Sequence, residues 1–339
     1  MIWASAEGTR VVDTDGREYI DLSAGFGVAA LGHRNARVTA AWREQQVVHA
    51  LGDLAAAAVT EELLAALPRP AKLGMTGEDA VEIALRTALL ATGKPGIVAF
   101  DGAYHGTGLL ALAATSIDAF RLPFRAWLPG PVYRRRYGED PKALPARAGC
   151  VIVEPVQARG GARVPPPEYL ATLRSRCDEA GALLIVDAVY AGLGRTGEMW
   201  PGAEVADVLC VGKALGHGLP ISAALFYRDG LEDVWELGDE DVYTHTHMGS
   251  PLACAAALVV LEEVPKLLER VGEAGERFEQ AGWHGAGLLR ARQGDAAEAE
   301  RRGVIVVPAG PNGSLVSATP ALTITDEEID EALARLDGA

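Results

Sequence analysis

The sequence predicts an α/β protein in which a mostly parallel central sheet is flanked by helices, with a smaller α+β domain drawn from both termini. Three observations predict it. From about residue 76, short apolar runs alternate with longer amphipathic stretches, the pattern of strands joined by crossover helices. The 339 residues, 49% of them hydrophobic, supply a core for one large domain and a smaller one. Charged residues stand just past the apolar runs, where the strands of an open parallel sheet present their carboxyl ends to a ligand. The expected division is 1–32 for the N-terminal part of the small domain, 33–235 for the large domain and 236–339 for the C-terminal small domain.

Taken in order, "RVVDTDGREYIDL" (residues 10–22) places a DG turn between two β-branched runs and predicts a hairpin. "TGEDAVEIALRTALLATG" predicts a helix beginning after Thr76 and Gly77, with Ala80, Ile83, Ala84, Thr87, Ala88 and Ala91 on its buried face. "GIVAF", "CVIV", "LLIV", "VLCV" and "SAALFY" read as strands, with "EYLATLRSRCDEAG" as an intervening helix. Further on, "PLACAAALVVLEEV" reads as a helix, "GVIVVPAG" as one strand and "DEEIDEALARL" as a closing helix, while the Ala/Arg/Glu-rich stretch 285–302 reads as solvated helix.

A net charge of -15 leaves no basic block to attract nucleic acid or anionic lipid, apart from the short run Arg134, Arg135, Arg136. No membrane partner is expected, because no run of about 18 uninterrupted apolar residues occurs. The four cysteines are widely spaced, without metal-ligand pairing, and read as reduced core residues. No metal is expected, and without a recognisable signal peptide the expected location is the cytoplasm.

Glu154 follows "CVIV", Asp187 follows "LLIV" and Lys213 follows "VLCVG". A lysine desolvated at a strand end loses much of its preference for the charged form, and its amine becomes a nucleophile toward a carbonyl. If that carbonyl belongs to pyridoxal phosphate, the ring nitrogen must stay protonated for the cofactor to act as an electron sink, and a buried aspartate such as Asp187 does this. The dianionic phosphate needs a cradle, which the helix start at Thr76 and Gly77 offers through its free N–H groups. Tyr104, in "DGAYHG", fits the aromatic residue that covers the ring.

These stretches, with "YIDLSAGFGVAALGH", "VIVEPVQARGG", "LLIVDAVYAGLGRTGEMW", "VLCVGKALGHGLPISAALF" and "THTHMGSPLACAAALVVLE", carry a resemblance over nearly the whole chain. The protein resembles the class III aminotransferases, pyridoxal-phosphate enzymes of fold type I. The resemblance implies a transaminase that moves an amino group between a primary amine or amino acid and a keto acid or aldehyde. Lys213 would form the aldimine with the cofactor and move the proton, and Asp187 would hold the pyridinium. Val189 would press on the ring face opposite Tyr104, with His105 beside it, and the N–H groups around Gly77 and Glu78 would take the phosphate. Thr246 matches a threonine that reaches the phosphate from the neighbouring subunit, which implies a homodimer with shared active sites.

The chain also departs from that family's pattern. Glu78 stands where the family has Ser or Thr, and Ala188 and Tyr190 replace a glutamate and a glutamine; the Tyr190 hydroxyl would support the cofactor's phenolic oxygen in the glutamine's stead. Ser317 occupies the place of an arginine that forks the substrate carboxylate, and Arg159 that of a glutamate. Either Arg159 has taken over anion recognition or the substrate amine has no adjacent carboxylate, and Glu154 and Arg159 are the candidate substrate-binding residues. Trimming at the N-terminus, between Gly106 and Cys150 and in the C-terminal part implies an open pocket, suited to a bulky or carrier-bound substrate. An aminomutase, racemase or decarboxylase would use the same cofactor, and a binding or scaffolding subunit that has lost turnover is the alternative of another class.

Overall fold

The computed structural model describes residues 1–52, 54–237 and 240–338. Seven strands form the central sheet in the order Ala71–Gly74, Ser222–Phe226, Val208–Val211, Leu183–Asp187, Ala148–Val153, Gly96–Phe100, Val132–Arg135. The last five in that order are parallel neighbours, and Ser222–Phe226 runs antiparallel to the strand on each side. The sheet is therefore mostly parallel, as predicted. Its inner strands are buried on both faces, which is why they read as unbroken apolar runs and not as alternating ones.

Successive side chains on these strands enter different layers. Cys150, Ile152, Leu183 and Ile185 pack with the helix Gly77–Thr92, whereas Val151, Val153, Leu184 and Val186 pack with the helices Tyr169–Ala180 and Pro251–Glu263. Each fully buried aliphatic side chain contributes about 2 kcal/mol, so both helical layers are fastened along the full width of the sheet. The helix Gly77–Thr92 starts with a capping box, in which the Thr76 hydroxyl accepts from the Asp79 N–H and the Asp79 carboxylate accepts from the N–H groups of Met75 and Thr76. It stops at Gly93, whose φ of 65° suits a residue without Cβ. Ala91, predicted on the buried face, is exposed, because the apolar layer ends at Ala88.

The hairpin forms as expected: Arg10–Asp13 pairs with Glu18–Asp21, and the Asp13 carboxylate gathers the N–H groups of Asp15 and Arg17 inside the turn. Trp3–Glu7 adds a strand on one side, and Val304–Ile305 joins in parallel on the other. Two C-terminal readings need correction. "GVIVVPAG" is not one strand: the chain changes sheet at Val306, so that Val304–Ile305 serves the N-terminal sheet and Val307–Ala309 pairs with Leu315–Ala318. The stretch 285–302 is helical only over Ala296–Arg301, since Leu289–Gln293 is a strand whose Leu289 and Ala291 are buried with Val156 and Ala158. The arginine run is not a free basic patch either. Arg134 donates to the carbonyls of Ala113, Ala114 and Thr115, closing the end of the short helix Leu109–Ala114.

All four cysteines are buried free thiols. No helix among the described residues is long and apolar enough to cross a membrane.

Candidate active site

Four neighbouring strands and the start of the helix Gly77–Thr92 deliver side chains to one cavity of about 310 Å³. Lys213 comes from the end of Val208–Val211, one residue beyond Gly212, and opens a tight 3₁₀ turn with a positive φ of 39°. Its ammonium nitrogen lies 4.3 Å from the centre of the Tyr190 ring. Burial holds the Lys213 amine below its ordinary range; the charges of Asp187 and Glu154 oppose that shift and Arg159 reinforces it.

Asp187 ends the strand Leu183–Asp187. Its Oδ2 lies 2.7 Å from His105 Nδ1, and its Oδ1 accepts the Val189 N–H at 3.1 Å. Both Asp187 and His105 are buried, and His105 Nε2 has no protein partner among the described residues. The His105 backbone is itself fixed, because its N–H donates to the Thr115 hydroxyl, which in turn donates to the Gly106 carbonyl.

At the helix start, the N–H groups of Gly77 and Glu78 find no acceptor among the described residues. A Cβ on residue 77 would stand 2.4 Å from Val189 Cγ1, so only glycine lets Val189 lie against this turn. The Glu78 carboxylate does not point at the free N–H groups. Its Oε2 accepts from the Thr107 N–H, the Thr107 hydroxyl and the Gly108 N–H at 2.7, 2.9 and 3.1 Å. One turn further, Glu82 Oε1 accepts from the N–H groups of Leu110 and Ala111 at 2.7 and 3.0 Å. Two acids of one helix thus hold the loop that carries Tyr104 and His105.

Glu154 lines the cavity with both oxygens turned to backbone: Oε1 accepts the Tyr104 N–H at 3.0 Å and Oε2 faces the Ala158 N–H at 3.4 Å. Burial, assisted by Asp187, pushes its carboxyl up to about 8. The Tyr104 ring meets Phe120 edge-on at 5.5 Å, and the Arg159 guanidinium covers both rings at 5.4 and 5.6 Å. The Tyr190 hydroxyl, expected to reach a cofactor oxygen, is shared with Thr319 at 3.3 Å, and it is the ring that faces Lys213.

The cavity therefore unites Thr76, Gly77, Glu78, Tyr104, His105 and Glu154 with Arg159, Asp187, Val189, Tyr190 and Lys213. Thr246 does not join them; it is exposed, and its carbonyl meets the His49 ring. Ser317 also stays outside the cavity wall, donating to the Arg290 carbonyl. Sequence reasoning missed Gly106, Thr107 and Phe120. Of these, only Gly106 left a trace in the sequence, a glycine directly after Tyr104 and His105; the fold needs it there because φ is 118° and a Cβ would strike Glu78 at 2.5 Å.

The donor set fits an aromatic aldehyde phosphate. A neutral-leaning amine, a buried acid backed by histidine, two free helix N–H groups and a flanking aromatic ring answer its aldehyde, ring nitrogen, phosphate and π-face in turn.

The fold and the site together define a pyridoxal-phosphate-dependent transferase of fold type I. Comparison with known proteins agrees. The class-III aminotransferase profile matches residues 1–282, and the chain belongs to that family. It is 35% identical over 363 residues to the acetylornithine aminotransferase of Methanopyrus kandleri, covering 97% of this chain and 92% of the relative. It is 34% identical over 380 residues to the putrescine aminotransferase of Pectobacterium atrosepticum, covering 98% and 80%. An amine transaminase from an uncultivated Pseudomonas species, solved in its PLP-bound form, superposes with a TM-score of 0.89 at 25% identity, covering 99% of this chain and 94% of that one. Class-III aminotransferases use pyridoxal phosphate, and this chain is an enzyme of that class.

Proposed function

We propose that the protein exchanges an amino group between a primary amine or amino acid and a keto acid or aldehyde, with Lys213 as the proton-moving base and Asp187 as the anchor of the cofactor's ring nitrogen. When bound, pyridoxal phosphate supplies a conjugated electron sink that makes the substrate C–H bond beside nitrogen acidic. Lys213 Nζ, whose charged form is weakened by burial, is suited to take that proton and return it. Asp187, fixed by His105 and by the Val189 N–H, would keep a proton on the ring nitrogen. The N–H groups of Gly77 and Glu78 would take the phosphate, and the Thr76 cap keeps that turn in place. Tyr104 and Val189 would hold the ring between them, and the Tyr190 ring lies against the amine.

The observation that carries this reading is the meeting of Lys213 and the Asp187–His105 pair in one cavity whose edge holds two free helix N–H groups. The test is spectroscopic. Protein loaded with pyridoxal phosphate should show a visible band that borohydride bleaches and that Lys213→Ala lacks, and amino donors should convert the band while a keto acid restores it. A bound cofactor whose spectrum no amine changes would favour a binding subunit without turnover.

A homodimer with shared sites belongs to the same proposal. Its support is the exposed position of Thr246, near the exposed apolar segment of Val48, Leu51 and Leu54, whose neighbour His49 meets the Thr246 carbonyl. A cytoplasmic location suits four buried free thiols.

A further inference from the structure

Arg159 has no task in the scheme above, yet its side chain stands in the cavity. The guanidinium is half-buried over the rings of Tyr104 and Phe120, and the residue is anchored through its carbonyl, which accepts the Gly310 N–H at 3.0 Å. Among the described residues, no carboxylate lies within ion-pair distance of it and no side-chain hydrogen bond engages it. Other half-buried arginines of this chain are treated differently: Arg174 grips Asp207 and Asp178, and Arg176 grips Asp140 and Glu179.

The acids of the cavity are already committed. Asp187 is held by His105 and Val189, Glu154 by the Tyr104 and Ala158 N–H groups, and Glu78 by Thr107 and Gly108. A planar fork of donors, stacked on two rings and lacking a counter-ion, is built to receive a carboxylate from outside. Among the described residues of the wall, Lys213 is the other Lys or Arg and is needed as the amine, which leaves Arg159 as the one fork. Among the same described residues, a second carboxylate on the same molecule would meet Asp187, Glu154 and Glu78 and no second guanidinium.

We propose that Arg159 is the carboxylate receptor of this site and that the enzyme handles amino acids and keto acids bearing a single carboxylate. The inference rests on the aminotransferase reading for its chemistry, but its binding test does not.

The experiment uses cofactor-loaded wild type, R159Q and R159K, each checked for an intact cofactor spectrum. Binding of propanoate and butanoate, which carry a carboxylate and no amine, is measured by calorimetry. Donor pairs differing only by a carboxylate in place of methyl, alanine with isopropylamine and 4-aminobutanoate with butylamine, are compared by kcat/KM, with glutamate as the dicarboxylate. The expected result is that R159Q weakens carboxylate binding roughly tenfold to a hundredfold and lowers the ratio between paired donors by the same factor through KM. R159K should recover part of it, because charge returns without the fork. Equal carboxylate binding by wild type and R159Q, or an unchanged donor ratio, overturns the proposal, and a wild-type preference for glutamate overturns its single-carboxylate part. If wild type converts no donor, the aminotransferase reading falls, while the calorimetry still decides on Arg159.

Discussion

Glu154 is an acid kept where its charged form is costly, 4% exposed and beside Asp187. Its folded-state value of about 8 exceeds the ordinary 4.5, so the native state binds the proton more tightly than the unfolded chain does. Stability accordingly declines as pH climbs from about 4.5 to about 8 and levels off above that. Glu154→Gln keeps an acceptor for the Tyr104 N–H and removes the titration. Urea unfolding of the cofactor-free variant should therefore show it gaining on wild type by about 1 kcal/mol for each pH unit across that window. Parallel profiles for the two proteins would show that Glu154 titrates normally. Residues of this kind were legible in the sequence: Glu154, Asp187 and Lys213 each break an apolar run at its carboxyl end, a place where a charge calls for a reason. Their partners were not, because nothing local announces that Asp187 will meet a histidine 82 positions away or that Arg159 will stack on Phe120.

At the scale of elements, the clamp between the helix Gly77–Thr92 and the short helix Leu109–Ala114 explains how a family departure is accommodated. A carboxylate at residue 78 beside a phosphate cradle would repel the anion, but its charge is drawn to three donors of the next loop. Glu82 completes the clamp from inside the core, 6% exposed. Glu82→Ala leaves the Leu110 and Ala111 N–H groups without an acceptor and should lower stability by about 2 kcal/mol in urea titration. Amide exchange over residues 104–108 should accelerate in the same variant, and unaltered exchange there would show that the loop is held by other means. The long helix and its cap could be read directly, since both rest on spacing along a few turns. The splitting of residues 304–309 between two sheets could not, because a run of four β-branched residues, Val304 to Val307, has the same appearance whichever edge receives it.

At the scale of the whole molecule, the α/β class followed from the strand–helix alternation, whereas the exposed apolar surface becomes visible only once the chain is folded. Val48, Leu51 and Leu54 are 78%, 68% and 82% exposed within seven positions of sequence, an apolar stretch of the kind a partner surface covers. Light scattering should give twice the 35.6 kDa chain mass for wild type. Leu51→Asp with Leu54→Asp should shift it to the monomer and weaken cofactor binding at least tenfold if Thr246 serves the neighbouring site; monomeric wild type with full cofactor affinity would remove both the dimer and that role.

The hairpin strand Glu18–Asp21 is completed by Val304–Ile305, and Arg10 reaches Glu331. The cavity wall, by contrast, is drawn from residues 76–213. Synthesis therefore delivers every residue of that wall before the hairpin's outer edge finds its partner, while Arg159 and Tyr190 still await Gly310 and Thr319 from the same late segment.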